Sequence, residues 1–291
     1  MNILSLFDGC SCGRVALERS GIEIDNYFAS EIDKYAIGIT NKNYPNTIQL
    51  GDINNWKEWN LPKIDLIMGG SPCQGFSRAG QGLNFDDPRG KLFFVFIDIL
   101  KFYNPEYFLL ENVKLKEEWR DIITGEIGVK PILINSSLVS AQNRERYYWT
   151  NITVNQPEDK GILLKSVVMS DVYPVVLHNI YGGFNESSVR VFENKSPTLR
   201  TSGGGGHIPS FVKRNLSFPD NKVANFFKET PYNVFKDWDC IRKFHPIECE
   251  RLQTLPDNYT EGVSNTQRYK MLGNGFTADI ISHILNFIPK E

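Results

Sequence analysis

The alternation of short apolar runs with helical stretches in the first half of this chain predicts an α/β fold, a mostly parallel sheet with helices on both faces. Three observations carry that expectation. A strand-like run at the N-terminus passes through a glycine-bracketed turn into a helix. The same rhythm recurs to about residue 138. Beyond about Asp171 it gives way to short β-like pieces broken by glycines. The last change predicts a smaller, loop-rich β domain over residues 171–242, leaving 1–170 and 243–291 to the larger domain.

Each element has its own signal. Asn2 to Phe7 alternates as a strand, and Gly9 and Gly13 bracket the turn into a helix, RVALERSG, that ends at Gly21. A second strand runs from Ile24 to Ala29. A helix from about Asp33 to Asn43 and a short strand near Thr47 to Leu50 follow, then the Gly51-Asp52 turn. Ile64 to Gly70 is apolar and closes on two glycines that let the chain turn sharply. A helix from about Lys91 to Tyr103, a strand at Tyr107 to Leu110 and another at Ile132 to Leu138 complete a parallel-sheet rhythm. The C-terminal ADIISHILNFI has the apolar face needed to pack back on a sheet.

Composition narrows the class. Hydrophobic residues at 41% and charged residues at 23% of 291 exclude disordered, collagenous and membrane chains. No apolar run approaches the roughly 20 residues of a membrane span. The N-terminus has no basic leader, so a cytoplasmic protein is expected. Five scattered cysteines fit reduced thiols better than a disulfide framework, and Cys10 and Cys12 lack a second pair with ligand spacing, so no metal site is expected. A formal charge of −2 says little about a partner; a nucleic-acid binder of this charge needs local basic clusters.

The strand ends carry the candidate chemistry. FDGCSCG is not a dinucleotide fingerprint, because its glycines are four apart. Glu31 ends the second strand about 20 residues on, where an acid accepts ribose hydroxyls, and Asp52 follows the third strand, where it would accept from an adenine amine. Adenosine without a pyrophosphate is the implied ligand, and S-adenosylmethionine fits; ordinary solvated carboxylates are the plain alternative. Cys73, in GGSPCQGFS, follows the Ile64 strand on a segment stiffened by Pro72, which displays its thiol at the carboxyl edge of the sheet. A buried small hydrophobe is the competing reading. Glu111, in YFLLENV, falls on the same edge, where partial desolvation would raise its pKa and let it act as an acid. Arg144 and Arg146, at i and i+2 in QNRERYYW, would share one strand face and supply positive charge.

In this order the motifs FDGCSCG, GDI, GGSPCQGFS, DPRGKLFF, ENV, QNRERYYW, RKFHPIECERLQTLPD and YKMLGNGF resemble the DNA (cytosine-5) methyltransferases over almost the whole chain. Around FDG, LLENV and VSAQNRERYYW the likeness is to the de novo branch, while PCQ is typical of the bacterial and phage type. The resemblance implies a Rossmann-like S-adenosylmethionine-dependent sheet with a small target-recognition domain. It implies Cys73 as the nucleophile toward C6 of a flipped cytosine, Glu111 at N3 and the exocyclic amine, Arg146 at O2, and Arg144 helping to position the base. For the cofactor it implies Phe7, Asp8, Gly9, Gly13, Glu31, Ile32, Asp52, Ile53, Pro72, Leu92 and Asn274. For DNA it implies Gln74, Ser77, Arg78 and Arg89 on a glycine-rich lid over residues 74–90. Arg190, Thr198, Arg200, Thr201 and Gly204 belong to the recognition segment, with SPTLRTSGGGGH as its loop.

The implied partners are double-stranded DNA and a cognate restriction endonuclease acting on the same site, with no membrane and a monomeric chain. Two other functions stay open: the same chemistry on transfer RNA, and a non-catalytic DNA-binding protein that keeps the fold. An NAD-type oxidoreductase with a reactive cysteine is disfavoured by the missing pyrophosphate fingerprint.

Overall fold

The structure, a computed structural model, describes residues 1–71, 88–178, 189–200, 209–214, 220–228 and 239–290, without the side chains of 88–90 and 220–221. The described chain divides into two compact units. The first comprises Met1–Asn135, Glu145–Pro157 and Ala278–Glu291, and the second Ser136–Arg144 and Glu158–Thr277.

Seven strands make the sheet of the first unit: β1 (Asn2–Leu6), β2 (Asn26–Ser30), β3 (Ile48–Gln49), β4 (Leu66–Gly69), β5 (Tyr107–Val113), β6 (Ile132–Asn135) and β7 (Glu145–Thr150). Their order is β3-β2-β1-β4-β5-β7-β6. β1 to β5 pair in parallel, as the rhythm predicts. The exception is β7, which lies between β5 and β6 and runs antiparallel to both. The order reverses at β1, which has β2 on one side and β4 on the other. Open α/β sheets bind ligands at such a switch point, outside the carboxyl ends of the strands.

The strands read as nearly continuous apolar runs because both faces are covered. Leu4, Leu6, Phe28, Ile67 and Leu110 point to one face, where they meet Phe93, Phe96, Ile97 and Ile99 of α3 (Pro88–Tyr103) and Ile53 and Trp56 of a 3-10 turn. Ile3, Tyr27, Leu66 and Met68 point to the other. There α1 (Cys12–Ser20) lies so close that a Cβ on Gly13 would stand 3.0 Å from the Met68 sulfur. α1 stops at Gly21, whose left-handed φ of 67° lets its N–H close on Leu17 and Glu18. α2 (Lys34–Asn43) starts at Asp33, which caps the Tyr35 N–H, and α4 (Glu117–Ile127) ends at Gly128 with φ 83°.

The reason for glycine at the end of β4 differs from a turn. A Cβ on Gly69 would lie 2.5 Å from the Leu6 carbonyl oxygen, so glycine is required by the approach of β4 to β1 at the switch point.

The second unit holds a four-stranded antiparallel sheet in the order β11-β10-β8-β9, built from β8 (Val172–His178), β9 (Arg190–Phe192), β10 (Ser210–Lys213) and β11 (Ile241–Lys243). It also contains a helix the sequence did not announce, α5 (Asp220–Lys228), whose Val223, Ala224 and Phe227 pack with Tyr173, Val175, Leu177 and Val212. α6 (Pro246–Leu252) opens on a capping box between His245 and Glu248. α7 (Asn265–Asn274) follows, and α8 (Ala278–Leu285) returns to the first unit against α1. Among the described residues no helix is long and apolar enough to cross a membrane.

Candidate active site

The loop after β1 is wound tightly at the switch point. Phe7, Gly9 and Ser11 alternate in the left-handed region at φ 56°, 59° and 58°. For Phe7 and Ser11, which carry a Cβ, this is strained backbone that the surroundings must hold. Asp8 does much of that holding. It is buried, and its carboxyl group accepts from the hydroxyls of Ser5 (2.6 Å), Tyr27 (2.7 Å) and Ser11. Burial pushes the Asp8 pKa up, although the three hydroxyls oppose the shift. Asp8 therefore knots the loop from within, and Phe7 packs against the core.

Glu31, just past β2, accepts the Gly9 N–H at 2.8 Å on one oxygen and the Ile32 and Asp33 N–H groups, each at 2.8 Å, on the other. A carboxylate has about four acceptor sites, so these three bonds orient it and leave capacity for a ligand hydroxyl. Asp52 is oriented in the same manner, its Oδ1 taking the backbone and side-chain N–H groups of Asn54 at 2.9 and 2.8 Å. Ile32 is 74% exposed beside Glu31, an apolar surface suited to the face of a base. Ile53 has its side chain in the core and Leu92 packs against it, so both stand behind the edge. An edge lined by two acids suits an adenosine with a cationic tail and repels a pyrophosphate.

Three positions toward β7, the second set of groups gathers. Glu111 lies opposite Tyr148 and Val113 opposite Arg146, which makes Glu111 and Arg146 diagonal neighbours on one face. Arg146 Nε meets Glu111 Oε1 at 3.0 Å, with the two side chains 12% and 10% exposed. Asn112 points to the opposite face and donates from Nδ2 to Ser71 Oγ at 3.2 Å. Ser71 is the last described residue before Pro72 and Cys73, and this buried bond fixes its place just past β4. Sequence reasoning missed Asn112 and Ser71, although both flank residues it did select.

Arg144 does not share a face with Arg146. β7 starts at Glu145, so period two does not extend back to Arg144. Its guanidinium is buried in the second unit and donates to the carbonyls of Leu199 (3.4 Å), Gly273 (3.3 Å) and Gly275 (3.0 Å). Thr198 donates its hydroxyl to the Asn143 carbonyl at 2.6 Å. Arg190, Arg200 and Asn274 are exposed. Pro72, Cys73, Gln74, Ser77, Arg78, Thr201 and Gly204 lie outside the described residues, as does the side chain of Arg89. The four other cysteines are buried thiols outside any disulfide.

A doubly wound sheet with two acids at its switch point and a carboxylate-guanidinium pair farther along the same sheet is a Rossmann-like α/β fold of the kind S-adenosylmethionine-dependent methyltransferases use. The chain matches the description "C-5 cytosine-specific DNA methylase" over residues 1–165 and 134–290, and it belongs to that family. It is 44% identical over 325 residues to the type II methyltransferase M.FnuDI of Fusobacterium nucleatum, covering 96% of this chain and 92% of that one. With M1.ScrFI of Lactococcus lactis subsp. cremoris it shares 31% over 309 residues, covering 97% and 76%. Among solved structures, a Spodoptera frugiperda DNMT2 mutant superposes with a TM-score of 0.70 at 24% identity, covering 98% of each chain. That likeness is one of fold. The chain is a DNA (cytosine-5) methyltransferase.

Proposed function

We propose that this enzyme transfers a methyl group to C5 of a cytosine turned out of a specific duplex DNA sequence, through a transient covalent bond from Cys73 to C6. The observation that carries the reading is the Glu111–Arg146 pair at 3.0 Å between β5 and β7, on the side of β5 away from β4, with Asn112 of β5 donating to Ser71 just past β4. C5 of cytosine is a weak nucleophile. Addition of the Cys73 thiolate at C6 makes the ring an enamine, and C5 can then attack an electrophilic carbon. Glu111 engages N3 and the exocyclic amine, Arg146 engages O2, and charge built up by the addition is met by groups already oriented. Loss of the C5 proton to a base, which a water molecule can supply, then releases the sulfur.

The residues at the switch point fit S-adenosylmethionine, which when bound supplies the methyl group on a sulfonium. Glu31 would hold the ribose, Asp52 the adenine amine, and Phe7 and Ile32 the faces of the base, with Pro72 and Leu92 lining the pocket and Asn274 near the methionine end. None of the reacting atoms of cytosine is reachable in a stacked duplex, so extrusion at a cost of a few kcal/mol is required. The segment 74–90 would close over the DNA, and residues 171–242 would read its sequence, with Arg190 and Arg200 as exposed cations for phosphates or base edges. The family supports DNA as the substrate; a cognate endonuclease and a monomeric state belong to the same proposal.

The fold likeness to DNMT2 keeps methylation of transfer RNA as a second reading. Incubation with S-adenosylmethionine tritiated in the methyl group, offered duplex DNA or transfer RNA, separates the two. We expect label in DNA, a single methylated motif by bisulfite sequencing, and no label with Cys73→Ser. Label in transfer RNA alone, or full activity of Cys73→Ser, overturns the reading.

A further inference from the structure

Two cysteines that the chemistry above does not use face each other in the loop after β1. Cys10 and Cys12 are 1% and 2% exposed, and their Sγ atoms stand 3.7 Å apart. Spacing in the sequence does not by itself bring this about. In extended chain, at roughly 3.3 Å per residue, Cα atoms two residues apart are separated by about 6.6 Å, close to the upper limit of about 6.8 Å for a disulfide. Ser11 lies between the cysteines in the left-handed helical region, at φ 58° and ψ 39°. A helical turn of either hand draws such Cα atoms in to about 5.4 Å, near the commonest disulfide span. The strained backbone at Ser11 is thus what aims the two thiols at each other, and its hydroxyl is held by Asp8 and stands 2.9 Å from Thr40 Oγ1.

Bond formation would move one side of this pair and not the other. The sulfurs must close from 3.7 Å to about 2.05 Å. Cys12 opens α1, and the next residue, Gly13, is seated so near Met68 that an added Cβ would stand 3.0 Å from its sulfur. Ser11 is held through its side chain. The displacement therefore falls on Cys10 and on Gly9 before it, where glycine backbone gives way most easily. The Gly9 N–H is the 2.8 Å donor to Glu31.

We propose that Cys10 and Cys12 form an oxidation site, a dithiol that a peroxide converts to a disulfide, and that the disulfide weakens cofactor binding by drawing Gly9 away from Glu31. One sulfur, as its thiolate, attacks the peroxide and breaks the O–O bond. It becomes a sulfenic acid, and the hydroxide that leaves takes up the proton the thiol released, giving water. The second thiol attacks this sulfur, the S–O bond breaks, and a second water leaves as the S–S bond forms. The two sulfurs together lose two electrons, and the peroxide is reduced to water. Both thiols are buried, so attack requires the loop to open, and a cofactor bound on the loop slows it. A disulfide that displaces native backbone is readily reduced, so a small thiol restores the pair. The effect on binding rests on the proposed role of Glu31 toward S-adenosylmethionine.

The test treats the Cys73→Ser protein with hydrogen peroxide, so that the proposed nucleophile consumes none, then alkylates the remaining thiols and maps tryptic peptides by mass. Both cysteines fall in the peptide of residues 1–14, which ends at Arg14. We expect this peptide to lose two hydrogens and escape alkylation, more slowly when S-adenosylhomocysteine is present. In calorimetry the Kd of S-adenosylhomocysteine should rise about tenfold or more on oxidation, as loss of one hydrogen bond to a charged group does, and return with dithiothreitol. With Cys10→Ser or Cys12→Ser in addition, peroxide should leave the Kd unchanged; either variant carries this arm should the other fail to fold. A peptide that stays reduced while Cys240 or Cys249 is oxidised overturns the proposal, as does a disulfide that leaves the Kd unaltered. Reduced protein that binds no S-adenosylhomocysteine refutes the cofactor reading instead, and the disulfide is still read by mass.

Discussion

Exchange of Arg146 for methionine and of Glu111 for glutamine, singly and together, tests whether the pair on β5 and β7 acts as one unit. At 3.0 Å the Coulomb attraction is about 5 kcal/mol at an effective dielectric near 20. Withdrawing the two charges from water costs several kcal/mol, so the intact pair contributes little net stability. Loss of one partner is a different matter, because the other charge stays in place with only 10–12% of its side chain exposed. Each single variant should lose about 3 kcal/mol, the low end for one-sided removal since neither group is wholly buried. That corresponds to a fall of roughly 6–12 °C in Tm for a chain of this size. The double variant should return to within about 1 kcal/mol of wild type, a coupling of roughly 5 kcal/mol. Methyl transfer behaves otherwise: each single exchange should cost about 10²–10³ in rate, as loss of one oriented charge-stabilising group does, and the double should recover none of it. Denaturant melts and initial rates on the same preparations supply both readouts. Stability losses that simply add would refute the pairing, and recovered activity in the double would refute the separate roles assigned to the two groups.

Gly69→Ala should destabilise the first unit by about 1–3 kcal/mol through forced overpacking, since the new methyl meets the Leu6 carbonyl at 2.5 Å; a thermal melt within a degree of wild type would contradict this. Glu31→Ala removes the bond that holds Gly9 of the β1 loop and two that hold the turn after β2, and should weaken S-adenosylmethionine binding by about a hundredfold in calorimetry, with unchanged affinity as the contrary result. Burial raises the pKa of Asp8 above its value in the unfolded chain. Its stabilisation is therefore full below the ordinary carboxylate range, about pH 4, and is lost as pH rises through the folded value. The Tm of Asp8→Asn relative to wild type should accordingly climb as pH rises from about 4, and a flat or falling difference would exclude the buried acid as the cause. Native thiol labelling should modify one cysteine rapidly and none in Cys73→Ser. Cys10 is held as a thiol by its contact with Cys12 and by burial, and burial likewise raises Cys240 and Cys249. Prior labelling of Cys10 or Cys12 would count against Cys73 as the displayed nucleophile.

How far the chain could be read in advance depended on the range of the interaction concerned. The strand ends at Leu6, Ser30, Gln49 and Gly69 were legible because each is a local change from an apolar run to a turn, and parallel pairing brings them to one edge. The role of Glu31 was half legible. Its position after β2 marks it as a candidate ligand acceptor, but its grip on Gly9, 22 residues away, follows only once β1 and β2 are paired. Asp8 has no local sign of burial, since its partners Ser5, Ser11 and Tyr27 come from three elements. Arg144 was misplaced for a similar reason. The period-two rule treats QNRERYYW as one strand, whereas the partners of Arg144 lie 55 to 131 residues away, and no local pattern announces them.

The antiparallel course of β7 in the seven-stranded sheet is what makes the Glu111–Arg146 pair possible. In a parallel sheet, residues at the carboxyl edge all come from the ends of strands, as Glu111 does from near the end of β5. β7 runs the other way, so the same edge receives its beginning, and Arg146, its second residue, lies opposite Val113. A parallel β7 would carry Arg146 to the far edge, the length of the strand from Glu111. Five residues separate Arg146 from Asn151, whose side chain accepts the Phe108 N–H and donates to the Glu106 carbonyl at that far edge. At roughly 3.3 Å per residue this puts the two ends of β7 more than 15 Å apart, well beyond reach of an ion pair. The motif order ENV then QNRERYYW therefore encodes a direction as well as two side chains, and it is the direction that brings acid and guanidinium within 3.0 Å beside the exit toward Cys73.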